Sequence, residues 1–245
     1  MKIYNVNYSE KLDKAALTKL KQRQFKGILR TGMGYDNIDL KEAERLGFEV
    51  KWLDDYCSSS VAEHNIRLAL QMCAKIGWQM EGKTALVIGS EGRIGRKLCK
   101  KLRGLGLRLL RHDIISYRKA DRAGYVTTAH LFHALEKAHF IFLCIPLNKN
   151  TKNYFGVQNF KAMHNQPIII NAAREGLLDL DLVETAISQG LIRGYCMDDV
   201  PDHRIKYNYR FIGTEHMGAK TDIAEENRMK QIQKKLKEFG TKRLQ

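Results

Sequence analysis

Residues 84–95 have the sequence TALVIGSEGRIG, which is the strongest indication of the fold. Its first five residues form a continuous apolar run, which predicts a buried strand. Glycines follow at positions 89, 92 and 95, and a helix is predicted over residues 94–102. Glycines let a backbone turn tightly and approach an anion, and the first N–H groups of a helix are free to bind it. The stretch therefore predicts a strand, a phosphate-binding turn and a helix in succession.

An acidic residue at the end of the next predicted strand supports a dinucleotide site over a purely structural turn. Asp113 lies 18 residues after Gly95, near the ~20 typical of the carboxylate that binds the adenosine ribose hydroxyls. The turn is Gly-x-x-Gly-x-x-Gly, one residue longer than the common form. A carboxylate at Asp113 would repel a 2′-phosphate, which favours NAD over NADP, although Arg111 and His112 stand beside it.

Strand-like and helix-like segments alternate along the chain, which predicts an α/β fold with a doubly wound parallel sheet. The apolar runs at residues 84–88, 140–144 and 168–170 are continuous, as expected for strands covered on both faces. A long helix is predicted to open at Ser60, with Glu63 in a capping-box position. The last helix is predicted to run from an Asp222 cap to Gly240.

The composition excludes several classes of protein. The longest apolar run, residues 140–147, is far shorter than the ~20 residues of a membrane helix, and no secretory signal is visible, so we expect a soluble cytoplasmic protein. The five cysteines form no Cys-x-x-Cys pair, so neither a metal site nor a disulfide framework is expected. The net charge of +15 attracts anions. No nucleic-acid recognition motif accompanies that charge, which favours a lysine-rich solvated surface.

Seven short motifs follow one another along nearly the whole chain. They are RTGMGYDNID at 30–39, SVAEH at 60–64, GRIG at 92–95, Pro146-Leu147 with Thr151, NAAREG at 171–176, Met197-Asp198, and HMGA at 216–219. Together they resemble the D-isomer-specific 2-hydroxyacid dehydrogenases, and the first looks most like the phosphoglycerate dehydrogenase branch. The resemblance implies a Rossmann NAD-binding domain over residues 61–221. It also implies a reduced, flavodoxin-like substrate domain over residues 1–60 plus 222–245.

The same resemblance implies roles for individual residues. Arg174 would hold the substrate carboxylate and carbonyl, which suits a planar charged fork, and His216 would be the general acid/base. Backbone amides at Met33 and Gly34 would receive the substrate carboxylate. The implied cofactor residues are Gly89, Gly92, Arg93, Ile94 and Gly95 in the turn, Asp113 on the ribose, Ile145 and Pro146 lining a pocket, Ala172, Ala173 and Gly218, and Asp198 on the nicotinamide carboxamide. We assign His64 to helix packing.

Three features depart from the family pattern. Only 29 residues precede Arg30, so the substrate domain looks shortened. The connecting segment before Gly82, which helps build the dimer in the family, is nearly absent, which leaves a homodimer open. The glutamate that usually pairs with the catalytic histidine is also missing, and His203 occupies its offset. We assign the neighbouring Asp202 as the substitute catalytic carboxylate.

The sequence predicts an NAD-dependent oxidoreductase that interconverts a small D-2-hydroxy acid and its 2-keto acid, without a metal. The departures are compatible with degenerate activity or with an unusual substrate. One alternative is a non-catalytic NAD-binding sensor or partner-binding protein derived from the same family. Another is a nucleic-acid-binding protein that uses the basic surface, which the missing recognition motif makes the least favoured interpretation.

Overall fold

The computed structural model describes residues 1–7, 9–114, 130–198 and 209–239, together with the backbone of residues 125–126. The chain divides into two compact units. The first unit is Met1–Cys57 with Lys220–Gln245, and the second is Ser58–Ala219. Both contain parallel strands and helices, so the predicted α/β fold is confirmed. The assignment of the first unit, predicted as residues 1–60 plus 222–245, to substrate binding stays a prediction.

The first unit holds a small parallel sheet. Its strands are β1 (Ile3–Val6), β2 (Gly27–Arg30) and β3 (Glu49–Trp52), and its first helices are α1 (Lys14–Gln22) and α2 (Leu40–Arg45). The strands pair in the order β1-β2-β3. Asp13 and Asp39 begin the two helices, because their carboxylates accept bonds from backbone N–H groups of the first turn.

The second unit holds a seven-stranded parallel sheet. Its strands are β4 (Thr84–Ile88), β5 (Arg108–His112), β6 (Tyr125–Val126), β7 (Phe140–Leu143), β8 (Ile168–Asn171), β9 (Gly194–Asp198) and β10 (Phe211–Thr214). They lie in the order β10-β9-β8-β7-β4-β5-β6. The direction of chain progression reverses between β4 and β7. In doubly wound sheets the crevice at this reversal is where ligands bind.

Helices cover both faces of the larger sheet. They are α3 (Ser58–Ile76), α4 (Arg93–Gly104), α5 (Leu131–Lys137), α6 (Val157–Lys161) and α7 (Leu180–Ser188). Successive residues of β7 point to opposite faces. Phe140 and Phe142 pack in the cluster with α3 and α4, whereas Ile141 and Leu143 pack in the cluster with α5, α6 and α7. The predicted burial of these strands on both faces is therefore confirmed.

Both predicted helix caps are wrong. Helix α3 begins at Ser58, so Ser60 lies inside it, and the Ser60 hydroxyl donates to the Gly218 carbonyl at 2.5 Å. Helix α8 (Asp222–Lys237) is capped by Thr221, and it ends before Gly240, which lies outside the described residues. Among the described residues, no helix is both long and apolar enough to cross a membrane.

Candidate active site

Polar residues gather at the carboxyl ends of the strands in the larger sheet. Strand β4 leads into the glycine turn, and Asp113 directly follows β5. Arg174 lies just after β8, Asp198 ends β9, and His216 lies just after β10. Because all these strands are parallel, their carboxyl ends lie at the same edge of the sheet. The glycine turn, Asp113, Arg174, Asp198 and His216 therefore lie along one edge of the sheet.

The glycine turn is too tightly packed to carry side chains at two of its positions. Gly89 has a φ of +84°, which L side chains rarely adopt. A Cβ there would overlap the Cys144 carbonyl, and a Cβ at Gly95 would overlap the Gly89 carbonyl. The Ser90 hydroxyl is buried and has no hydrogen-bond partner among the described residues. A bare backbone, a helix N-terminus and an orphaned hydroxyl fit the pyrophosphate of a dinucleotide.

A buried carboxylate lies inside this turn, and the sequence analysis did not anticipate it. The Glu91 side chain is only 4% exposed and pairs with Arg111 at 3.0 Å and with Arg96 at 3.6 Å. The Glu91 N–H donates to the Asp113 carboxylate at 3.0 Å. Glu91 thus ties the turn to the end of β5 through both its backbone and its side chain. The only sequence signal was an acidic residue between two of the glycines.

The remaining predicted cofactor residues near the turn differ in exposure. Gly92 caps α4, the next residue, Arg93, is exposed, and Ile94 is half-buried. Ile145 is half-buried beside Gly89, across the crevice between β4 and β7. Pro146 is exposed, and its carbonyl accepts a bond from the Thr151 hydroxyl at 2.6 Å. All of these positions follow β4 or the neighbouring strand β7, at the carboxyl ends of the two strands.

Asn171 shapes the loop that carries Ala172, Ala173 and Arg174. Its side-chain oxygen accepts from the Ala173 N–H at 3.1 Å, and its side-chain nitrogen donates to the Arg174 carbonyl at 2.8 Å. The same nitrogen donates to the hydroxyl of Tyr195 at 3.0 Å. Burial raises the pKa of Tyr195, so its hydroxyl remains protonated. We gave Asn171 no role from the sequence, although it begins the NAAREG motif.

Asp198 ties the end of β9 to the loop that carries His216. Its Oδ1 accepts from the Thr214 hydroxyl at 2.7 Å and from the Met217 N–H at 2.6 Å. Its Oδ2 accepts from the Gly218 N–H at 2.7 Å. A Cβ at Gly218 would crowd Oδ2 at 2.9 Å, so glycine permits this close approach. Both oxygens are therefore engaged within the chain, and the predicted contact with a nicotinamide carboxamide stays a prediction.

The charge of Asp198 is stabilised by these donors. Burial alone would raise the pKa of Asp198. Hydrogen bonds from His64, Met217 and Thr214 outweigh that effect and hold the pKa well below its ordinary value. The carboxylate is therefore ionised wherever the protein is folded near neutral pH.

His64 belongs to the same network, which its assignment to helix packing did not foresee. Its Nε2 lies 3.0 Å from the Thr214 hydroxyl and 3.4 Å from Asp198 Oδ1. Its Nδ1 lies 2.7 Å from the Arg67 guanidinium, which can only donate. Nδ1 is therefore the acceptor, and Nε2 carries the proton toward Thr214 and Asp198. His64 and Asp198 are far apart in the sequence, so no local pattern predicts this contact.

His216 adopts a strained backbone. Its φ is +48°, in the left-handed region, and the residue is half-buried. The next two N–H groups both donate to Asp198, which holds the backbone in this conformation. Strain of this kind clusters at functional sites when the surroundings enforce it. Asp202, its predicted carboxylate partner, lies outside the described residues.

The predicted carboxylate-binding amides lie in the first unit. Met33 and Gly34 follow β2, and the Met33 sulfur lies 3.6 Å from the Cys57 thiol. Arg30, which we gave no role from the sequence, is buried beneath this loop with its guanidinium against Gly32. Its Nε donates to Asn37 at 3.2 Å. The loop therefore has a buried positive charge directly beneath it.

Comparison with known protein families identifies the larger unit. Residues 51–220 match the family described as "D-isomer specific 2-hydroxyacid dehydrogenase, NAD binding domain". The chain belongs to the D-isomer-specific 2-hydroxyacid dehydrogenase family. The resemblance predicted from the seven motifs is confirmed, and NAD, the predicted cofactor, is the ligand named for this domain.

Individual relatives support the branch that the first motif indicated. D-3-phosphoglycerate dehydrogenase of Methanocaldococcus jannaschii is 31% identical over 229 residues, which cover 84% of this chain and 44% of that protein. Glyoxylate reductase of Pyrococcus furiosus is 25% identical over 81% of this chain and 68% of that one. The chain thus spans less than half the length of the phosphoglycerate dehydrogenase. In fold it is similar to Aquifex aeolicus D-lactate dehydrogenase complexed with NAD and lactic acid, with a TM-score of 0.85, 23% identity, and coverage of 97% of this chain and 82% of that one.

Proposed function

We propose that this chain is an NAD-dependent oxidoreductase that interconverts a small D-2-hydroxy acid and its 2-keto acid. The observation that carries the proposal is the shared sheet edge. It gathers the glycine turn, the Asp113 carboxylate, the Arg174 cation and the constrained His216. We assign to them, in that order, the binding of phosphate, ribose and substrate, and proton transfer. An enzyme of this class needs these four functions, and none of them requires a metal.

Arg174 and His216 have complementary tasks in this proposal. The Arg174 guanidinium binds the carboxylate of the 2-keto acid and polarises its carbonyl, because its planar fork offers two parallel donors. His216 gives a proton to the carbonyl oxygen during reduction and takes it back during oxidation. When bound, the nicotinamide ring supplies or accepts the hydride at the substrate carbon. One hydride and one proton then convert the keto acid to the hydroxy acid.

Asp198 and Asp202 support His216 in different ways. Asp198 fixes the backbone on which His216 stands, through its bonds to the Met217 and Gly218 N–H groups. We propose Asp202 as the carboxylate that pairs with the imidazole in place of the missing glutamate. A carboxylate near an imidazole favours its protonated form. Reduction needs that form, so Asp202→Asn would move the alkaline limb of the reduction rate to lower pH.

In the first unit, Met33 and Gly34 are proposed to receive the substrate carboxylate. The buried Arg30 beneath their loop supports an anionic ligand there. The net charge of +15 would also raise the local concentration of an anionic substrate and cofactor. A homodimer and a cytoplasmic location are retained as proposals, and sedimentation of the purified chain tests the first.

A panel of 2-keto acids with NADH tests the proposed function. We expect at least one member of the panel, which includes glyoxylate, pyruvate and 3-phosphohydroxypyruvate, to oxidise NADH at a saturable rate. Any product with a stereocentre at C2 should be the D-hydroxy acid. NADH binding without turnover on any member would favour the non-catalytic alternative. The relatives named above are dehydrogenases and reductases, so they lend that alternative no support.

A further inference from the structure

We propose that Glu91 determines the choice of NAD over NADP by holding Arg111 away from the 2′ position of the adenosine ribose. The proposal rests on the proposed function, because it concerns the same dinucleotide site. It assigns specificity to a pair of side chains beneath the turn, in addition to the Asp113 carboxylate at its rim.

The chain has both kinds of side chain that dinucleotide-binding folds use to distinguish NAD from NADP. A carboxylate at the end of the second strand binds the 2′-hydroxyl of NAD, whereas a nearby arginine accommodates the 2′-phosphate of NADP. Asp113 supplies the first and Arg111, two residues earlier on β5, supplies the second. Sequence alone therefore favours NAD through Asp113 but does not show whether Arg111 is available to a 2′-phosphate.

The structure shows where the arginine is held. The Arg111 side chain is 19% exposed, and its Nη2 lies 3.0 Å from Glu91 Oε1. The same guanidinium hydrogen-bonds the Cys99 thiol of α4, and burial raises the pKa of that thiol. Arg111 thus lies between a residue of the turn and a residue of α4, and its charge is matched by a carboxylate that is itself buried.

Glu91 contacts both Arg111 and Asp113. Its side chain neutralises Arg111, while its backbone N–H donates to Asp113 Oδ2 at 3.0 Å. A 2′-phosphate brought to this corner would meet the Asp113 charge, while Arg111, two residues earlier, is held by Glu91. Because Glu91 is buried and Arg111 is largely covered, their attraction is screened less by water and salt than that of an exposed pair. Releasing Arg111 therefore requires the removal of the Glu91 charge.

Calorimetric titration with NADH and with NADPH tests the proposal in four proteins. They are the wild type, Glu91→Gln, Glu91→Gln/Arg111→Met, and the control Glu63→Gln. Glu91→Gln should shift the ratio of the two dissociation constants toward NADPH by about 10- to 100-fold, the range expected for one charge-assisted bond. The double variant should return to the wild-type ratio, because it lacks the arginine. Glu63 pairs with Lys101 at 2.7 Å on the surface, so its variant should keep the wild-type ratio.

Each outcome decides for or against the proposal. An unchanged ratio in folded Glu91→Gln overturns it, and so does an equal shift in the double variant, since Arg111 would then not be the agent. Both results leave the proposed function intact as long as the wild type binds NADH. A wild type that binds neither cofactor overturns both. If Glu91→Gln does not fold, Glu91→Asp retains the charge with a shorter reach, and it must shift the ratio in the same direction for the proposal to stand.

Discussion

At the scale of single residues, the backbone of His216 can be tested apart from its chemistry. Asparagine tolerates the left-handed region and a β-branched residue does not. His216→Asn should therefore unfold in urea at nearly the wild-type midpoint. His216→Val should lose about 1–2 kcal/mol of unfolding free energy. Equal stability of the two variants would show that the left-handed conformation is not enforced in solution.

Gly95 tests whether the turn must remain bare. A Cβ at this position would overlap the Gly89 carbonyl, a backbone atom that cannot move without displacing the turn. We expect Gly95→Ala to cost about 1–3 kcal/mol of stability and to weaken NADH binding at least tenfold by calorimetry. The matched control is Gly104→Ala at the end of α4, where a Cβ would meet nothing within 4 Å. Gly104→Ala should bind NADH normally, and comparable losses in both variants would contradict this account.

Sequence reasoning located residues whose role depends on a local pattern. The glycine turn and Asp113 follow from spacing within one βα unit, and Arg174 and His216 follow from short motifs. Glu91 and His64 act through partners on other elements, as in the bond that Arg111 donates to Glu91, 20 residues away along the chain. No propensity or periodicity encodes such a contact, so only the folded chain reveals it.

At the scale of elements, the ionised Asp198 links β9, β10 and α3, and this makes the stability of their contact depend on pH. Its pKa is lower in the folded protein than in the unfolded chain. The stabilisation is therefore complete above the unfolded value of about 3.9 and is lost as the pH falls below it. Asp198→Asn should cost about 2–3 kcal/mol in urea unfolding at pH 7, because buried donors lose their acceptor.

The pH dependence of that cost separates the charge from simple packing. The difference in unfolding free energy between wild type and Asp198→Asn should shrink as the pH is lowered from 5 toward 3. Glu226→Gln, which removes an exposed pair with Lys230, controls for general acid effects and should show almost no difference at any pH. A cost for Asp198→Asn that stays constant over this range would contradict the assigned role of the carboxylate.

Element types were predictable from the sequence, whereas helix starts were less so. Continuous apolar runs predicted the central strands β4, β7 and β8, because burial on both faces leaves a plain signature. The start of α3 was misplaced because the Ser60 hydroxyl, a good local cap, bonds instead to the distant Gly218 carbonyl. Strand β10 was not predicted, since its four residues, Phe211–Thr214, are only partly buried at the sheet edge.

At the scale of the whole molecule, the two units should divide binding from turnover. The second unit has buried clusters on both faces of its own sheet and contains the glycine turn, Asp113, Arg174 and His216. A fragment of residues 58–219 should therefore fold and bind NADH by calorimetry with an affinity within about threefold of the full chain. The fragment lacks Met33 and Gly34, so its turnover of a 2-keto acid should be negligible. Turnover equal to that of the full chain would refute the substrate role of the first unit.

The turnover of His216→Asn, measured as NADH oxidation with the best 2-keto acid of the panel, tests directly whether His216 transfers the proton. Positioned proton transfer contributes roughly 10²–10⁴-fold to rate. We predict that this variant loses turnover by about that factor while its NADH dissociation constant stays within about twofold of wild type. Wild-type turnover in His216→Asn would contradict the proposed mechanism.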